Sequence, residues 1–587
     1  METANSVAHG HCMKITGAMS ACEALLKEDV DVIFGFPGGA ILPFYDALWH
    51  YPKLRHILVR HEQASAHAAE AYARISGKVG VCVATSGPGA TNLMTGLAAA
   101  KMDSTPLVAI TGQVARAFMG KEAFQECDTV AMATPVVKKA FLVMDSADIA
   151  STIREAFRVA TEGRPGPVLV DLPKDVQAEE LEFKYPSFSE ARPAPRASTP
   201  KIEETARLLN EAERPVLIAG RGVHISRAWD ALAALVEKAN IPVLNTLHGT
   251  SAFARHHPLA MGMVGMHGMY TSNIATVEAD LIIGVGMRFD DRVIGRPGSF
   301  GSNAKIVHLD IEKSNIGKNV HADVALLGDV GQTLDALLPL VRHEPRSAWL
   351  TRLADLDHGH PSIDVPDADV VTPQYVLREL NKIVEHSDDP VVVTGVGQHQ
   401  MWAAQFMFMP SVNSFVSSGG LGVMGFEVPA AIGAQIARPG ATVWSIAGDA
   451  GIQMTIQEFA TIAQEHLPVK IVIINNGYSG MVRQWQELFY DHHYKAVSIS
   501  GPDYVKLAEA YGIAACKVTE KDHVGMALAT AASHPGPYVI DFRVSPEENV
   551  YPMVPPGASL AETVEDPRVV HYRQPIHISP EGLVSYP

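Results

Sequence analysis

Short apolar, β-branched runs return along the whole chain, each followed by a helical pattern, and this recurrence constrains the fold more than any other feature. "VGVCVAT", "PLVAIT" and "GPVLVDL" lie in the first third, "RPVLIAG", "LIIGVG" and "KIVHLDI" in the middle, and "PVVVTG", "VKIVIIN" and "PYVIDF" in the last. Strands that are apolar on both faces must be covered on both faces, and helical crossovers between parallel strands supply that cover. The expected fold class is α/β, with three doubly wound parallel-sheet domains. Two Pro-rich stretches, "KYPSFSEARPAPRASTPK" and "DHGHPSIDVPDADVVTP", separate the thirds, because repeated prolines block helix and sheet ladders. The expected domains are residues 1–185, 201–345 and 372–555, joined by linkers at 186–200 and 346–371 and followed by a tail at 556–587.

The first and third domains resemble one another. Aligning Ser86 with Gly448 also brings Gly89 onto Gly451 and Pro106 onto Pro468, at a constant offset of 362 residues. Two homologous domains could pair and enclose a ligand between the ends of their sheets. The plainer reading is that any two βαβ units of similar size align this well.

Composition narrows the function classes. The net charge of -17, with no basic block, argues against nucleic acid or an anionic membrane surface as the partner. With 47% hydrophobic and 19% charged residues, the 587-residue chain can bury several cores. Its five cysteines (Cys12, Cys22, Cys82, Cys127 and Cys516) are scattered and never form CxxC, which fits a reducing cytoplasm. The opening residues lack a signal-peptide layout, and no uninterrupted apolar run reaches membrane-spanning length. The expectation is a soluble cytoplasmic protein.

Three local patterns carry chemistry. In the third domain, "TVWSIA" runs through "GDAGIQM" into the helical "TIQEFATIAQEH", and "VKIVIINNGYSGM" ends the next strand with Asn475 and Asn476. Neighbouring parallel strands bring their C-terminal ends together, so Asp449 and Asn476 should lie side by side. A carboxylate and an amide oxygen leave positions on a small hard cation for phosphate oxygens and water, and a helix N-terminus favours phosphate. Alone, Asp449 reads more simply as a helix N-cap. In the first domain, Glu62 follows "LRHILVR" and opens "QASAHAAEAYAR". It is either a helix-dipole acid or a carboxyl held in an apolar cleft against a cofactor. In the middle domain, Gly220 and Gly222 follow a strand and Asp310 ends another. A Gly-rich turn with a strand-end acid can hold a dinucleotide, although the full GxGxxG is absent.

"GD" followed at this distance by "NN" resembles the diphosphate–Mg²⁺ motif of thiamine-diphosphate enzymes. Longer words, among them "GFPGGAILPFYDAL", "RHEQASAHAAEAYAR", "TSGPGATNL", "GRPGPVLVDLPKDV", "RFDDRV", "SSGGLGVMGFEVPAAIGA" and "NNGYSGMVRQWQELFY", resemble the catalytic subunit of acetohydroxyacid synthase (acetolactate synthase). The resemblance implies decarboxylation of pyruvate on thiamine diphosphate, an electron sink for carbanion chemistry. The resulting hydroxyethyl carbanion condenses with a second 2-keto acid, pyruvate or 2-ketobutyrate, in branched-chain amino acid biosynthesis. The implied cofactors are thiamine diphosphate, Mg²⁺ and FAD.

Residue by residue, the resemblance assigns metal ligation to Asp449, Asn476 and the backbone carbonyl of Tyr478. Gln398 and His399 would meet the diphosphate, with Ala450, Gly451, Gly480 and Met481 also at the cofactor, while Gly422 and Met424 bracket the aminopyrimidine. Glu62 would share a proton with that ring. Gly39, Phe124, Gln125 and Lys174 would lie near the reacting carbon or its entrance, and Arg292, Met481 and Trp485 would shape the pocket for the second keto acid. The FAD set comprises Arg164, Gly220, Gly222, Thr246, Leu247, Gly265, Met266, His267, Gly286, Arg288, Asp310, Ile311 and Asp329. Simpler readings exist for several: a core methionine for Met424, a solvated lysine for Lys174, an ordinary helix aromatic for Trp485. The implied assembly is a homodimer or homotetramer with the active site between subunits, and a separate regulatory small subunit is left open.

This chain departs from the pattern. Ala450 and Gly451 stand where the family has Gly-Ser, Ala115 replaces a proline and His248 a methionine, and Val423, Glu427 and Pro556 also differ. The expectation is a functional site with weaker cofactor retention. The alternatives are another thiamine-diphosphate-dependent 2-keto acid decarboxylase or carboligase, or a catalytically silent homologue serving as a binding subunit, which only Ala450 supports.

Overall fold

The computed structural model of the protein describes residues 14–186, 194–365 and 368–569, with two-residue strands at 577–578 and 584–585. Part of the first expected linker (187–193), two residues of the second (366–367), and much of the tail (570–576, 579–583 and 586–587) lie outside the described residues, as does the N-terminal 1–13.

The apolar runs form three six-stranded sheets, all parallel. In the N-terminal sheet the strands in chain order are Val32–Gly35, Arg55–Leu58, Gly80–Ala84, Leu107–Gln113, Lys139–Leu142 and Pro167–Pro173. Counted along the chain, they lie in the order 2-1-3-4-6-5. The C-terminal sheet, built from Pro390–Thr394, Phe415–Ser417, Thr442–Gly448, Lys470–Asn475, Ala514–Val518 and Tyr538–Arg543, has the same 2-1-3-4-6-5 order. Shared topology of this detail supports two homologous domains over chance similarity of single βαβ units. The central sheet, Pro215–Ala219, Val243–Asn245, Ala260–Met263, Leu281–Val285, Lys305–Asp310 and Val324–Leu327, runs 3-2-1-4-5-6. That is the doubly wound dinucleotide-binding order, with its switch point between the first and fourth strands.

Central strands such as Gly80–Ala84, Pro215–Ala219 and Pro390–Thr394 are buried along their whole length, as two-sided helical cover requires. The covering helices follow from local patterns. In Pro373–Val384, Thr372 caps the N-terminus by accepting from the Tyr375 N–H at 3.3 Å, Pro373 takes the position where no N–H is needed, and Val376, Leu377, Leu380 and Val384 form the buried stripe.

The chain divides into two compact units. One runs to Ala73 and resumes from Lys78 through the N-terminal sheet; the other takes Arg74–Gly77 and everything after the first linker. Within the second unit the central and C-terminal domains are bonded together. Gln405 Nε2 donates to the His267 carbonyl at 3.0 Å, and the Val554 N–H donates to the Met266 carbonyl at 2.7 Å.

Two expected boundaries differ from what the structure holds. Within 346–371, Ser347–Gly359 is a helix whose Trp349, Leu353 and Leu356 join the central core. Their helical spacing was masked by the prolines and acids that follow. The start of the expected tail is packed as well: Ala558 and Leu560 enter the same core, and Asn273 Nδ2 donates to Thr563 Oγ1 at 3.0 Å. Among the described residues no helix is long and apolar enough to cross a membrane.

Candidate active site

In the C-terminal sheet, Gly448 pairs with Ile474, so the next residues of both strands emerge side by side. Asp449 is buried at the start of the short helix Asp449–Ile452, and its Oδ2 accepts from the Gly477 N–H at 3.0 Å. Asn476 Oδ1 accepts from the Tyr478 N–H at 3.0 Å, and Asn476 Nδ2 donates to Gln398 Oε1 at 3.3 Å. Gln398 Nε2 donates onward to Gln484 Oε1 at 2.9 Å and to the Glu548 carbonyl at 3.0 Å. Asp449, Asn476, Tyr478 and Gln398 therefore form one connected group.

Burial raises the Asp449 pKa to about 7, against a smaller opposing pull from nearby N–H groups and Arg543. A dication in contact would favour the ionised form. Among the described residues no three His, Cys, Asp or Glu side chains cluster to hold a metal. One carboxylate and one amide oxygen at adjacent strand ends suit Mg²⁺ sharing its shell with phosphate rather than an all-protein cage.

Glycines line this corner because side chains would not fit. A Cβ on Gly448 would stand 2.8 Å from His399 Nδ1, and one on Gly480 would overlap Gln398 Oε1. His399 is buried, its pKa depressed by burial to about 3, and its Nε2 has no partner. A buried imidazole with an unpartnered nitrogen, packed against glycines at the strand ends, fits a diphosphate. Gly422 is exposed with a φ of +75°, and Met424 beside it is half-buried. Helix Gly480–Phe489 carries Met481, half-buried against the C-terminal core, and Trp485, which meets Phe489 edge-on at 5.5 Å between centroids.

In the N-terminal domain Glu62 is the first residue of helix Glu62–Ser76. Asn92 Nδ2 donates to Glu62 Oε2 at 2.9 Å, a partner the sequence reading missed although "TSGPGATNL" contains it. The other oxygen faces Gly89, where an added Cβ would lie 3.3 Å from Oε1. Gly39 is exposed. Phe124 is 89% exposed on a loop pinned by the Glu126 carboxylate, which accepts from the N–H groups of Gly120, Lys121 and Ala123. Gln125, at φ +60°, packs against Gly87. Lys174 is exposed at the start of helix Lys174–Ala178.

In the central domain, Gly220 and Gly222 meet Gly286 backbone to backbone at the switch point. The Gly222 N–H donates to the Gly286 carbonyl at 2.9 Å, and a Cβ on Gly222 would stand 2.5 Å from Gly286 Cα. The turn 265–267 lies against Arg292, whose carbonyl accepts from the Met266 N–H at 2.8 Å and whose Nη1 is 3.2 Å from Met266 Sδ. His267 is buried with Nδ1 unpartnered, and burial, then Arg292, depresses its pKa to about 4. Thr246 caps the turn that carries Leu247, and Leu247 packs against the C-terminal core.

The acids of the central domain are already engaged. Asp310 accepts from the Glu312 N–H at 2.7 Å, ahead of the half-buried Ile311, and Asp329 caps helix Val330–Leu337 and accepts from Ser226 Oγ at 2.7 Å. Arg288 faces Asp290 at 3.5 Å. Arg164 is held within the N-terminal domain by Ser104 Oγ and the Met102 carbonyl, at 2.8 and 3.1 Å. The close glycine turns at the switch point and the unpartnered His267 nitrogen fit a dinucleotide, with the acids serving as much for local structure as for a ligand.

Comparison with known proteins agrees with this geometry. Three domain models of thiamine pyrophosphate enzymes match in order: the N-terminal TPP binding domain over residues 15–132, the central domain over 202–337 and the C-terminal TPP binding domain over 395–542. The acetolactate synthase large subunit of Parasynechococcus marenigrum is 47% identical over 567 residues, 94% of this chain and 91% of the relative. The acetolactate synthase of Mycobacterium leprae is 46% identical over 94% of this chain and 90% of its own. The large subunit of Cyanidium caldarium is 45% identical over 93% and 96%. The chain belongs to the acetolactate synthase family of thiamine pyrophosphate enzymes.

Proposed function

We propose that this chain is the catalytic subunit of an acetohydroxyacid synthase. It decarboxylates pyruvate and joins the two-carbon unit to a second pyruvate or to 2-ketobutyrate. The observation that carries this reading is the group Asp449, Asn476 and Gln398 at adjacent strand ends, beside the unpartnered His399 nitrogen. Thiamine diphosphate, when bound, supplies the electron sink for the carbanion that decarboxylation leaves.

The chain's own residues have separate tasks in this reading. Asp449, Asn476 and the Tyr478 carbonyl would hold Mg²⁺, and Gln398 and His399 would orient the diphosphate. Glu62, with Oε2 taken by Asn92, keeps Oε1 for proton exchange with the cofactor ring. Gly39, Phe124, Gln125 and Lys174 border the reacting carbon. Arg292 offers paired donors to the carboxylate of the second keto acid, with Met481 and Trp485 forming the apolar wall. Gly220, Gly222 and Gly286 would hold FAD at the switch point, where the net reaction gives it no electron-transfer role.

The free state of the four described cysteines supports a cytoplasmic setting. A homo-oligomer with the active site between subunits belongs to the same reading, and the "large subunit" names of these relatives support a separate small subunit. The test is an assay of the purified chain with thiamine diphosphate, Mg²⁺ and FAD, offering pyruvate alone and then with 2-ketobutyrate. Acetolactate and acetohydroxybutyrate are the expected products, from a protein that purifies yellow. Formation of neither product overturns the reading.

A further inference from the structure

Glu427 opens helix Glu427–Ala437, yet it is fully buried and neither carboxyl oxygen has a hydrogen-bond partner. Burial pushes its pKa up to about 7, while the nearby N–H groups of Gly425 and of Glu427 itself pull the other way. A buried acid without partners costs stability, so its surroundings matter. They are glycines from separate segments. A Cβ on Gly395 would overlap Oε2, and one on Gly451 would stand 2.9 Å from Oε1. The segment leading into Glu427 is stapled to the same region, because Thr455 Oγ1 donates to the Gly425 carbonyl at 2.8 Å.

Each of these segments carries residues expected at the cofactor. Gly395 leads directly to Gln398 and His399, Gly422 and Met424 precede Gly425, and Gly451 closes the Asp449 turn. The Cβ direction of residue 451 points at the Glu427 carboxyl, so the two positions compete for one space. We propose that Glu427 is a positioning residue for the cofactor: its carboxyl fills the space a side chain at 451 would take and holds the three segments at their mutual spacing. The inference rests on the proposed thiamine-diphosphate reading. The Gly451 departure then has its counterpart at Glu427, and a serine restored at 451 alone weakens the site instead of tightening it.

The experiment uses the full chain stripped of cofactor and dication, titrated calorimetrically with thiamine diphosphate at saturating Mg²⁺. Apo melting temperature and the near-ultraviolet circular dichroism of the bound cofactor are recorded alongside. Gly451→Ser and Glu427→Ala are each expected to weaken binding by about ten-fold or more, and Glu427→Gln to stay within about three-fold. The double variant Glu427→Gly, Gly451→Ser is expected to return to within about three-fold of the parent, with the parent's dichroism. A plain space-filler would lower the Glu427→Ala melting temperature and leave affinity unmoved, which overturns the proposal. So does a double variant that binds no better than Gly451→Ser. A parent chain that binds no thiamine diphosphate overturns the functional reading itself, a result distinct from either.

Discussion

Single side chains decide the chemistry, and the clearest test concerns Glu62. Replacing it with Gln keeps the bond from Asn92 within reach but removes the exchangeable acid. Glu62→Gln should lower the rate of acetolactate formation by about 10²-fold or more while thiamine diphosphate affinity, read by calorimetry, changes little. His224 shows how a buried residue sets pH behaviour. Trp229 Nε1 donates to its Nδ1 at 3.0 Å and its Nε2 faces the Thr250 carbonyl at 3.1 Å, so the ring sits neutral with the proton on Nε2. Burial, then Arg221, depresses its pKa to about 3. The unfolded value lies near 6.5, so its contribution is whole above that pH and is lost as pH falls toward the folded value, about 2 kcal/mol by pH 5. Melting temperatures of parent and His224→Gln should therefore converge between pH 7.5 and pH 5; a constant gap would contradict this. Asp449 and Asn476 were readable from the chain because strand-end positions in a βαβ sequence are local facts. Glu427 was noted only as a departure, since its burial depends on residues 395 and 451, which are distant in sequence.

At the scale of elements, the close glycine contact of the central domain is the most sensitive to mutation. Gly286 has a φ of +60°, and a Cβ there would stand 2.5 Å from Gly222 Cα. Gly286→Ala meets both strain and backbone overlap, so it should cost about 1–3 kcal/mol and lose the flavin colour. Gly359, the last residue of helix Ser347–Gly359, has nothing within 4 Å of an added Cβ. Gly359→Ala should leave the melting temperature unchanged or slightly raised, by up to about 1 kcal/mol in stability. That same helix is where the sequence was misread. Trp349, Leu353 and Leu356 recur at helical spacing, but the prolines and acids after them suggested a linker. Composition describes a segment's average character, whereas three apolar residues on one face suffice to dock it.

For the whole molecule, the proposed sharing of the site between protomers gives a direct prediction. Chains carrying Glu62→Gln and chains carrying Asp449→Ala should each be inactive, and mixing them after subunit exchange should recover about a quarter of the parent activity, since half the dimers then hold one intact site of two. No recovery would place both residues of each site in one chain. The sequence by itself determined the three parallel sheets, because two-sided apolar strands and intervening helices leave few other solutions. It also determined the strand-end pair Asp449 and Asn476, whereas the kinship of the first and third domains rests on their shared strand order. Only the tertiary structure decided the strand orders, the docking of Ser347–Gly359, and the partner of Glu62. It alone brought the Glu427 carboxyl against Gly451. The reason is physical: periodicity and strand-end positions are carried by neighbouring residues, while occupancy of a space between segments depends on side chains that meet only after folding.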